Sequence, residues 1–454
     1  MEAAYRGVGS EAYRPDLLVK IALWEVLEGR RSPAQWFRDV RDHNPLLWIG
    51  RGLRPSRTAL YNFRDRLGHV IQDLHASIIR HAVATGLIDP KEGVQDGTST
   101  RACASRHRTI NLTVLQRRRS ELNTAIGQDD VGRVAETIPQ WMAKTSEGRK
   151  EQSQRYERAE EILQRRLADN SRRPKDKRLD DNKVTVSTSD VEAPMGRDKE
   201  KTFCPLYTTQ FVVEPDSLVI LSFEVFAQAT DAGTLAPMLD KTEQVIGHHL
   251  ESVTADAAYA TLLDLVECAK RGVELFAPVN ENDFTEKKRA GRAKDRIGRD
   301  QFTWLPEQKT YVCPEGHRLD YKGKEKKRRR GDQTVTEHRY QCAAAHCGVC
   351  PLRDRCIRDP AAKGRVVKRL EGQELLDSHR AKMKTAEGQT KRKRRGQVIE
   401  RCFADAKEHR ELRKLHGRGL HRARAEIGLV VLAQTALTMM RLAKTAAKAH
   451  EDTS

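Results

Sequence analysis

The stretches YTTQFVVE (residues 207–214) and LVILSFEVF (residues 218–226) decide the fold. Both are rich in β-branched and aromatic residues, and Pro215-Asp216-Ser217 lies between them, so they read as a β-hairpin. Downstream, a helical stretch over residues 230–249 leads into ESVTAD (residues 251–256), a short strand ending in a carboxylate. Residues 262–271 read as helix, stopped by Gly272, and VELFAPV (residues 273–279) as another strand. Upstream, Glu92-Gly93-Val94-Gln95-Asp96-Gly97-Thr98 is a strand candidate running into an Asp-Gly turn. Strands mixed with helices in this order predict an α/β core.

Further out the patterns change. Residues 14–88 read as all helical: Leu17, Ile21, Trp24 and Leu27 recur at helical spacing after Pro15, and Ser32-Pro33 starts a second helix. After a turn at residues 49–52, Pro55-Ser56 starts a third, with Leu60, Phe63 and Leu67 on one face and Arg57, Arg64 and Arg66 elsewhere. A fourth is expected from about residue 69 to Gly86. Short capped helices with a basic third member suit a helix-turn-helix-like DNA binder, and equally a small bundle with solvated arginines. Residues 112–170 read as a helical insert with a Tyr156, Ala159, Leu163, Leu167 stripe, and residues 171–183 as a basic linker. From Gly396 the chain is helical again, with Val398, Ile399, Cys402, Phe403 and Ala406 on one face. A last helix, about residues 420–444, should pack on the core. The expected organisation is a helical DNA-binding domain (1–90), the first core strand (91–110), a helical insert and linker (111–183), the core strands (184–280), a Cys-rich basic insert (281–392) and C-terminal helices (393–454).

Composition narrows the function classes. Among 454 residues, 83 Lys and Arg against 64 Asp and Glu give a net charge of +19, which points to a polyanionic partner. No apolar run reaches the roughly 18 residues that span a bilayer. The opening MEAAYRGVGS lacks the apolar core of an export signal, so a cytoplasmic, nucleoid-associated protein without a membrane role is expected. Nine cysteines without an export signal argue against a disulfide framework.

Three carboxylates stand out by position: Asp96 closes the first core strand, Asp256 a later one, and Glu400 lies near the start of a helix at the border of its apolar face. Lys407 follows two helical turns along nearly the same line. Hard divalent cations take oxygen ligands, and two of them can clamp the attacking and leaving oxygens of an in-line phosphoryl displacement. Taken singly, Asp96 is first a turn residue, Asp256 a cap and Glu400 a surface glutamate. Asp405 and Glu408 on the same helix, and Asp231 and Asp264 in the core, compete for the third place.

Four blocks resemble the DDE transposases of bacterial insertion sequences, which have an RNase H-like catalytic core. They are YRPDLLVKIALWEVLEGRRSPAQW with PSRTALYNFRDRL, VQDGTSTRACASRHR, TADAAYA, and IERCFADAKEHRELRKLHGRGLHRARAE. The resemblance covers nearly the whole chain in block order. It implies an RNase H-like mixed sheet with flanking helices, an N-terminal all-helical domain, a helical insert after the first strand and a Cys-rich insert before the last catalytic helix. It also implies that Asp96, Asp256 and Glu400 ligate two Mg²⁺ or Mn²⁺ ions, with Tyr259 behind the second aspartate and Lys407 as the helix lysine on DNA. Many relatives carry an arginine four residues before the glutamate; this chain has Gly396 there, with Arg395 one step further. Arg57, Arg64, Arg395 and Lys407 are the candidate DNA contacts.

The expected activity is cleavage at the element's terminal inverted repeats and strand transfer into target DNA by a homo-oligomer on DNA. The rivals are a non-catalytic zinc-containing DNA-binding relative and a plain metal nuclease. For zinc, Cys347-x2-Cys350 forms one hook, and Cys313 and Cys356 flank it as the first-choice structural set, with Cys342 as competitor. Basic runs at residues 326–330 and 391–395 read as phosphate neutralisers on such an enzyme, or as solvated loops.

Overall fold

The structure, a computed structural model, describes residues 13–131, 138–173, 175, 178–279, 296–328 and 334–451. The chain opens with α1 (Pro15–Leu27), α2 (Pro33–Asp42), α3 (Asn44–Ile49) and α4 (Arg57–Ala84). β1 (Glu92–Arg101) and β2 (Thr109–Ile110) precede α5 (Leu112–Asp130) and α6 (Ser146–Ser171). Then come β3 (Val186–Ser187), β4 (Met195–Arg197), β5 (Phe203–Val213), β6 (Ile220–Phe226), α7 (Leu235–Ile246) and β7 (Ser252–Thr254). α8 (Leu262–Lys270), β8 (Glu274–Phe276), β9 (Thr303–Leu305), β10 (Thr310–Val312), β11 (Arg318–Arg328) and β12 (Thr334–Cys342) follow. After α9 (Ala344–Gly348), α10 (Arg353–Cys356), β13 (Val366–Leu370) and α11 (Gln373–Lys384), the chain ends in α12 (Ala386–Ala404) and α13 (Leu420–Glu451). Two compact units result: Met1–Thr254 with Lys393–Ser454, and Ala255–Arg392.

In the first unit β1 lies between β5, antiparallel to it, and β7, parallel to it. β5 also pairs with β6, as the hairpin signal predicts, and with β4. This mixed sheet with flanking helices is consistent with an RNase H-like core. A single apolar cluster runs through Leu18 and Ala22 of α1, Leu60, Leu67 and Ile71 of α4, Val94 of β1, Phe211 and Phe223 of the hairpin, Val398 and Phe403 of α12, and Ile427 to Ala433 of α13. The N-terminal helices therefore share their core with the sheet. α13 is long and apolar enough to pass for a membrane span by length and composition. Its apolar middle is nevertheless buried against α1, α4 and β6, as the sequence reading expects of a core helix.

Three boundaries differ from the sequence reading. β1 runs on to Arg101, so Asp96 lies inside the strand and the Asp-Gly pair makes no turn, because β5 pairs with it from Val94 to Arg101. The expected third and fourth helices are one, α4, capped by Ser56, whose hydroxyl accepts from Ala59 N at 3.1 Å. Gly68 sits inside it, where a Cβ would come within 2.7 Å of the His421 carbonyl oxygen on α13, so glycine serves that close approach and not a helix stop. α12 starts at Ala386, ten residues ahead of Gly396, so the run at 391–395 is helical and not a loop. α5 and α6 form a hairpin around the predicted stripe of Tyr156, Ala159 and Leu163, with a cluster of their own.

In the second unit β9 to β13 form an antiparallel sheet in the order β13-β12-β11-β10-β9. Trp304, Tyr311 and Tyr340 meet at its centre, with ring centroids 4.8 to 5.6 Å apart. α8 begins with a capping box between Thr261 and Asp264 and packs on α11, which is tied down where His379 Nε2 meets Ala277 O at 2.7 Å. The run at 326–330 enters β11, and its Arg329 and Arg330 lie outside the described residues.

Candidate active site

The site starts from the alternation of β1. Successive side chains of a strand face opposite sides, and directly paired residues share a side. Asp96 is registered with Phe211 of β5, so its carboxylate lies on the side that carries α12. There the Phe211 and Phe403 ring centroids are 5.2 Å apart. Arg395, two turns upstream of Phe403, places Nη1 2.5 Å from Asp96 Oδ2. Asp96 Oδ1 accepts from its neighbour's amide, Gly97 N, at 2.7 Å. The helical segment between 395 and 403 is thus pinned over the Asp96–Phe211 rung at both ends.

Glu400 lies in that segment. Its neighbours Val398, Ile399, Cys402 and Phe403 are buried while Glu400 is exposed, and because α12 begins at Ala386 it lies near the end of the helix and not near its start as expected. Its Oε1 folds back along the helix and would lie 4.0 Å from a Cβ at position 396. Past Ala404 the helix widens into one π-turn, Asp405–His409, a local change that re-aims side chains and recurs at functional sites. Lys407, in this turn, donates to Ser99 O at 3.4 Å, three residues along β1 from Asp96. Burial, with the Lys199 ammonium in support, lowers the Lys407 pKa to about 8.

The competing carboxylates have other work. Asp405 pairs with Arg410 at 3.3 Å, and Glu408 pairs with Arg413. Asp231 accepts from Gln210 Nε2 at 2.6 Å, on the opposite side of the sheet from Asp96. Asp264 closes the α8 capping box. In the second unit Asp256 caps the short 3₁₀ turn Ala257–Tyr259, accepting from Ala258 N at 2.6 Å, and Tyr259 is buried.

The segment after α12 is held by residues that the sequence reading did not single out. Arg31 reaches Glu426 at 3.2 Å, both side chains at most 3% exposed, and donates to the carbonyls of Glu411 and Lys414. At the start of α13, in the Arg418-Gly419-Leu420 part of the last family-like block, Gly419 N donates to Asp190 at 3.0 Å and Leu420 N to Glu192 at 2.8 Å, two carboxylates that the sequence reading passed over. Arg31 and Glu426 are 395 residues apart, so no local pattern announces the pair.

Two of the four expected DNA contacts change character. Arg64 is buried, with its guanidinium on Asp65 at 2.7 Å, which corrects its assignment to DNA. The Arg395 guanidinium is engaged with Asp96. Arg57 is exposed at the start of α4, beside the Tyr61 ring.

In the second unit Cys313, Cys342, Cys347, Cys350 and Cys356 line one pocket together with His317 and His346, whose rings stack at 4.1 Å. Burial, reinforced by Cys347, pushes the Cys342 thiol up to about 12. Among the described residues no three His, Cys, Asp or Glu side chains form a group that could hold a metal ion. The cysteine geometry therefore lends no support to the expected zinc. Asp96 and Glu400 carry the oxygen donors that a hard divalent cation takes, but with Asp256 they form no such group among the described residues either.

Residues 312–438 match the family described as Transposase DDE domain, which supports a DDE transposase of insertion-sequence type. No curated protein and no solved structure matches the chain.

Proposed function

We propose that this chain cuts a phosphodiester at the ends of an insertion sequence and joins the freed 3′-hydroxyl to target DNA. Asp96, Asp256 and Glu400 would hold two Mg²⁺ or Mn²⁺ ions. The observation that carries this reading is the pinning of the Glu400 segment over the Asp96 rung by Arg395 and Phe403.

Bound divalent ions supply Lewis-acid polarisation and neutralise charge at phosphorus. The chain's own residues do the rest. The carboxylates give a fixed anionic mount, Lys407 sets an ammonium three residues from Asp96 for the strand's phosphate, and the π-turn holds that lysine in place. In the first step a water oxygen bonds to phosphorus and the bond to the 3′-oxygen breaks. In the second the 3′-oxygen bonds to a target phosphorus and the target's own 3′-oxygen leaves. Each step exchanges one phosphorus–oxygen bond for another, so one site serves both. Element ends come in pairs, and a dimer or larger assembly on DNA follows.

The test uses a supercoiled plasmid carrying the DNA that flanks this reading frame. Wild type with Mg²⁺ should nick it and join a pre-cut end to a second plasmid, and Asp256→Ala should do neither. Cleavage that survives Asp256→Ala or a chelator overturns the reading. Cleavage without joining leaves a metal nuclease instead.

A further inference from the structure

The ribbon formed by β11 and β12 separates its charges by face. Lys324 is registered with His338 and Lys326 with Thr336, so these four share one side. Tyr321, registered with Tyr340, is on that side too: the residue is 52% exposed, and its hydroxyl lies 3.3 Å from His338 Nδ1. The other side carries Glu325 opposite Glu337, and Lys368 of β13 binds Glu337 at 2.9 Å. Lys322, in the bulge between Tyr321 and Lys324, pairs with Asp320 at 3.4 Å. Among the described residues neither Lys324 nor Lys326 has a carboxylate partner, and both are exposed.

The ribbon also outruns its sheet. β10 pairs only with Arg318 and Leu319 of β11, and β13 only with residues 337–341 of β12. Glu371 N still donates to Thr336 O at 2.9 Å, and only the rows beyond the Lys326–Thr336 pair are two strands wide. A two-stranded ribbon is what the major groove of a DNA duplex admits, at about 12 Å across. An exposed tyrosine among unpaired lysines is chemistry that meets sugar and phosphate while the ribbon edge enters the groove.

From this we infer that the Tyr321–Lys324–Lys326–His338 face of the β11–β12 ribbon docks on duplex DNA, with the Glu325–Glu337 face turned away. The inference deepens the transposase reading by giving the DNA a second point of attachment, and it rests on that reading for the choice of DNA. Lysines on phosphate release counter-ions, so each contributes about 0.9 to the slope of log affinity against log salt.

The experiment measures binding of the full-length chain to a fluorescent random-sequence duplex by anisotropy, across a salt series. Lys324→Glu with Lys326→Glu should weaken binding at least tenfold near ~0.1 M salt and flatten the slope by about 2. Glu325→Gln, on the other face, should leave both unchanged, and the milder Lys324→Gln with Lys326→Gln should fall between, with its circular dichroism as the fold control. Unchanged affinity and slope in both lysine variants overturns the inference. So does a loss of equal size from Glu325→Gln, or a lysine-dependent preference for single-stranded RNA over the duplex. Asp256→Ala should bind the duplex as wild type does. Failure of cleavage with intact lysine-dependent binding therefore counts against the catalytic reading alone, and metal-dependent cleavage with no lysine effect counts against the ribbon alone.

Discussion

Arg64 in α4 and Lys324 in β11 come from similarly basic stretches, yet the fold uses them in opposite ways. Arg64 is 4% exposed, neutralised by Asp65, and part of the packing between α4 and α13. Lys324 stands exposed on a ribbon whose described carboxylates, Asp320, Glu325 and Glu337, face the other side. The same contrast separates the two basic runs. In the helical one Arg394 pairs with Asp216 and Arg395 with Asp96, whereas Lys326 of the strand run has no such partner among the described residues. A net charge of +19 thus says that a polyanion is expected, and only the pairing geometry says where.

The sharpest way to break this comparison is to remove a charge that the fold has gathered. Asp96→Asn keeps the shape of the side chain and can still accept from Gly97 N, but loses the anion that Arg395 and a divalent ion need. Plasmid cleavage should fall by about a thousandfold or more, the scale of several kcal/mol of lost charge stabilisation at phosphorus. Duplex affinity by anisotropy should change little, because the ribbon lysines are untouched. Retention of cleavage within tenfold would remove Asp96 from the site.

The apolar face beneath Glu400 was legible in the sequence because its signal is local. Ile399, Cys402, Phe403 and Ala406 at helical spacing need only their neighbours to be read, whereas the Asp-Gly pair at 96–97, locally a turn, lies inside β1. The helix boundary expected at about residue 69 shows the opposite case, since α4 runs through Gly68. Glycine is locally a helix stop, but here it makes room for His421, which is 353 positions later in the chain. Arg395 on Asp96 and Arg31 on Glu426 likewise join distant segments, and periodicity holds no trace of them. The ribbon's charge separation lay between these extremes: the run at 326–330 was visible, but the face it occupies depends on pairing register and on the bulge between Tyr321 and Lys324.

The next effect concerns stability. Arg31 and Glu426 are both buried, and Glu426 also accepts from the amides of His416 and Gly417. Arg31→Met leaves that carboxylate buried without its cation and should cost about 3–5 kcal/mol, read as a lower urea midpoint. The paired change Arg31→Met with Glu426→Leu should recover part of the loss, since no lone charge stays inside. A single variant as stable as wild type would show that the 410–419 segment does not depend on this tie.

A smaller, pH-dependent effect tests Lys407. Its pKa is lowered to about 8, first by burial, so its ammonium is present below that pH and is lost as pH rises through it. If that charge holds a strand phosphate, wild-type cleavage should decline above pH 8. Lys407→Arg keeps its charge, because a guanidinium does not titrate there. Each normalised to its own rate at pH 7, the variant should exceed wild type by about tenfold at pH 9, the fraction of ammonium lost one unit above its pKa. A wild-type profile that is flat from pH 7 to 9 would deny the lysine a charged role.

The smallest expected effect is the one that bears most directly on the opening contrast. Burial alone would raise the Asp65 carboxyl, but its hydrogen bonds to Arg422 and Arg64 outweigh that and hold it below the usual carboxylate range. Arg422 contributes two contacts, at 3.0 and 2.8 Å, and these survive when Arg64 is replaced. Arg64→Gln should therefore cost only about 1–2 kcal/mol of stability, the value of one charge-assisted hydrogen bond whose acceptor keeps another partner. Its duplex affinity and salt slope should match wild type within twofold, against a loss of tenfold or more for the ribbon double variant. A change at Arg64 as large as that at the ribbon would mean that α4 meets DNA after all, through a rearrangement that releases its arginine from Asp65, and the division of labour between the two basic regions would have to be redrawn.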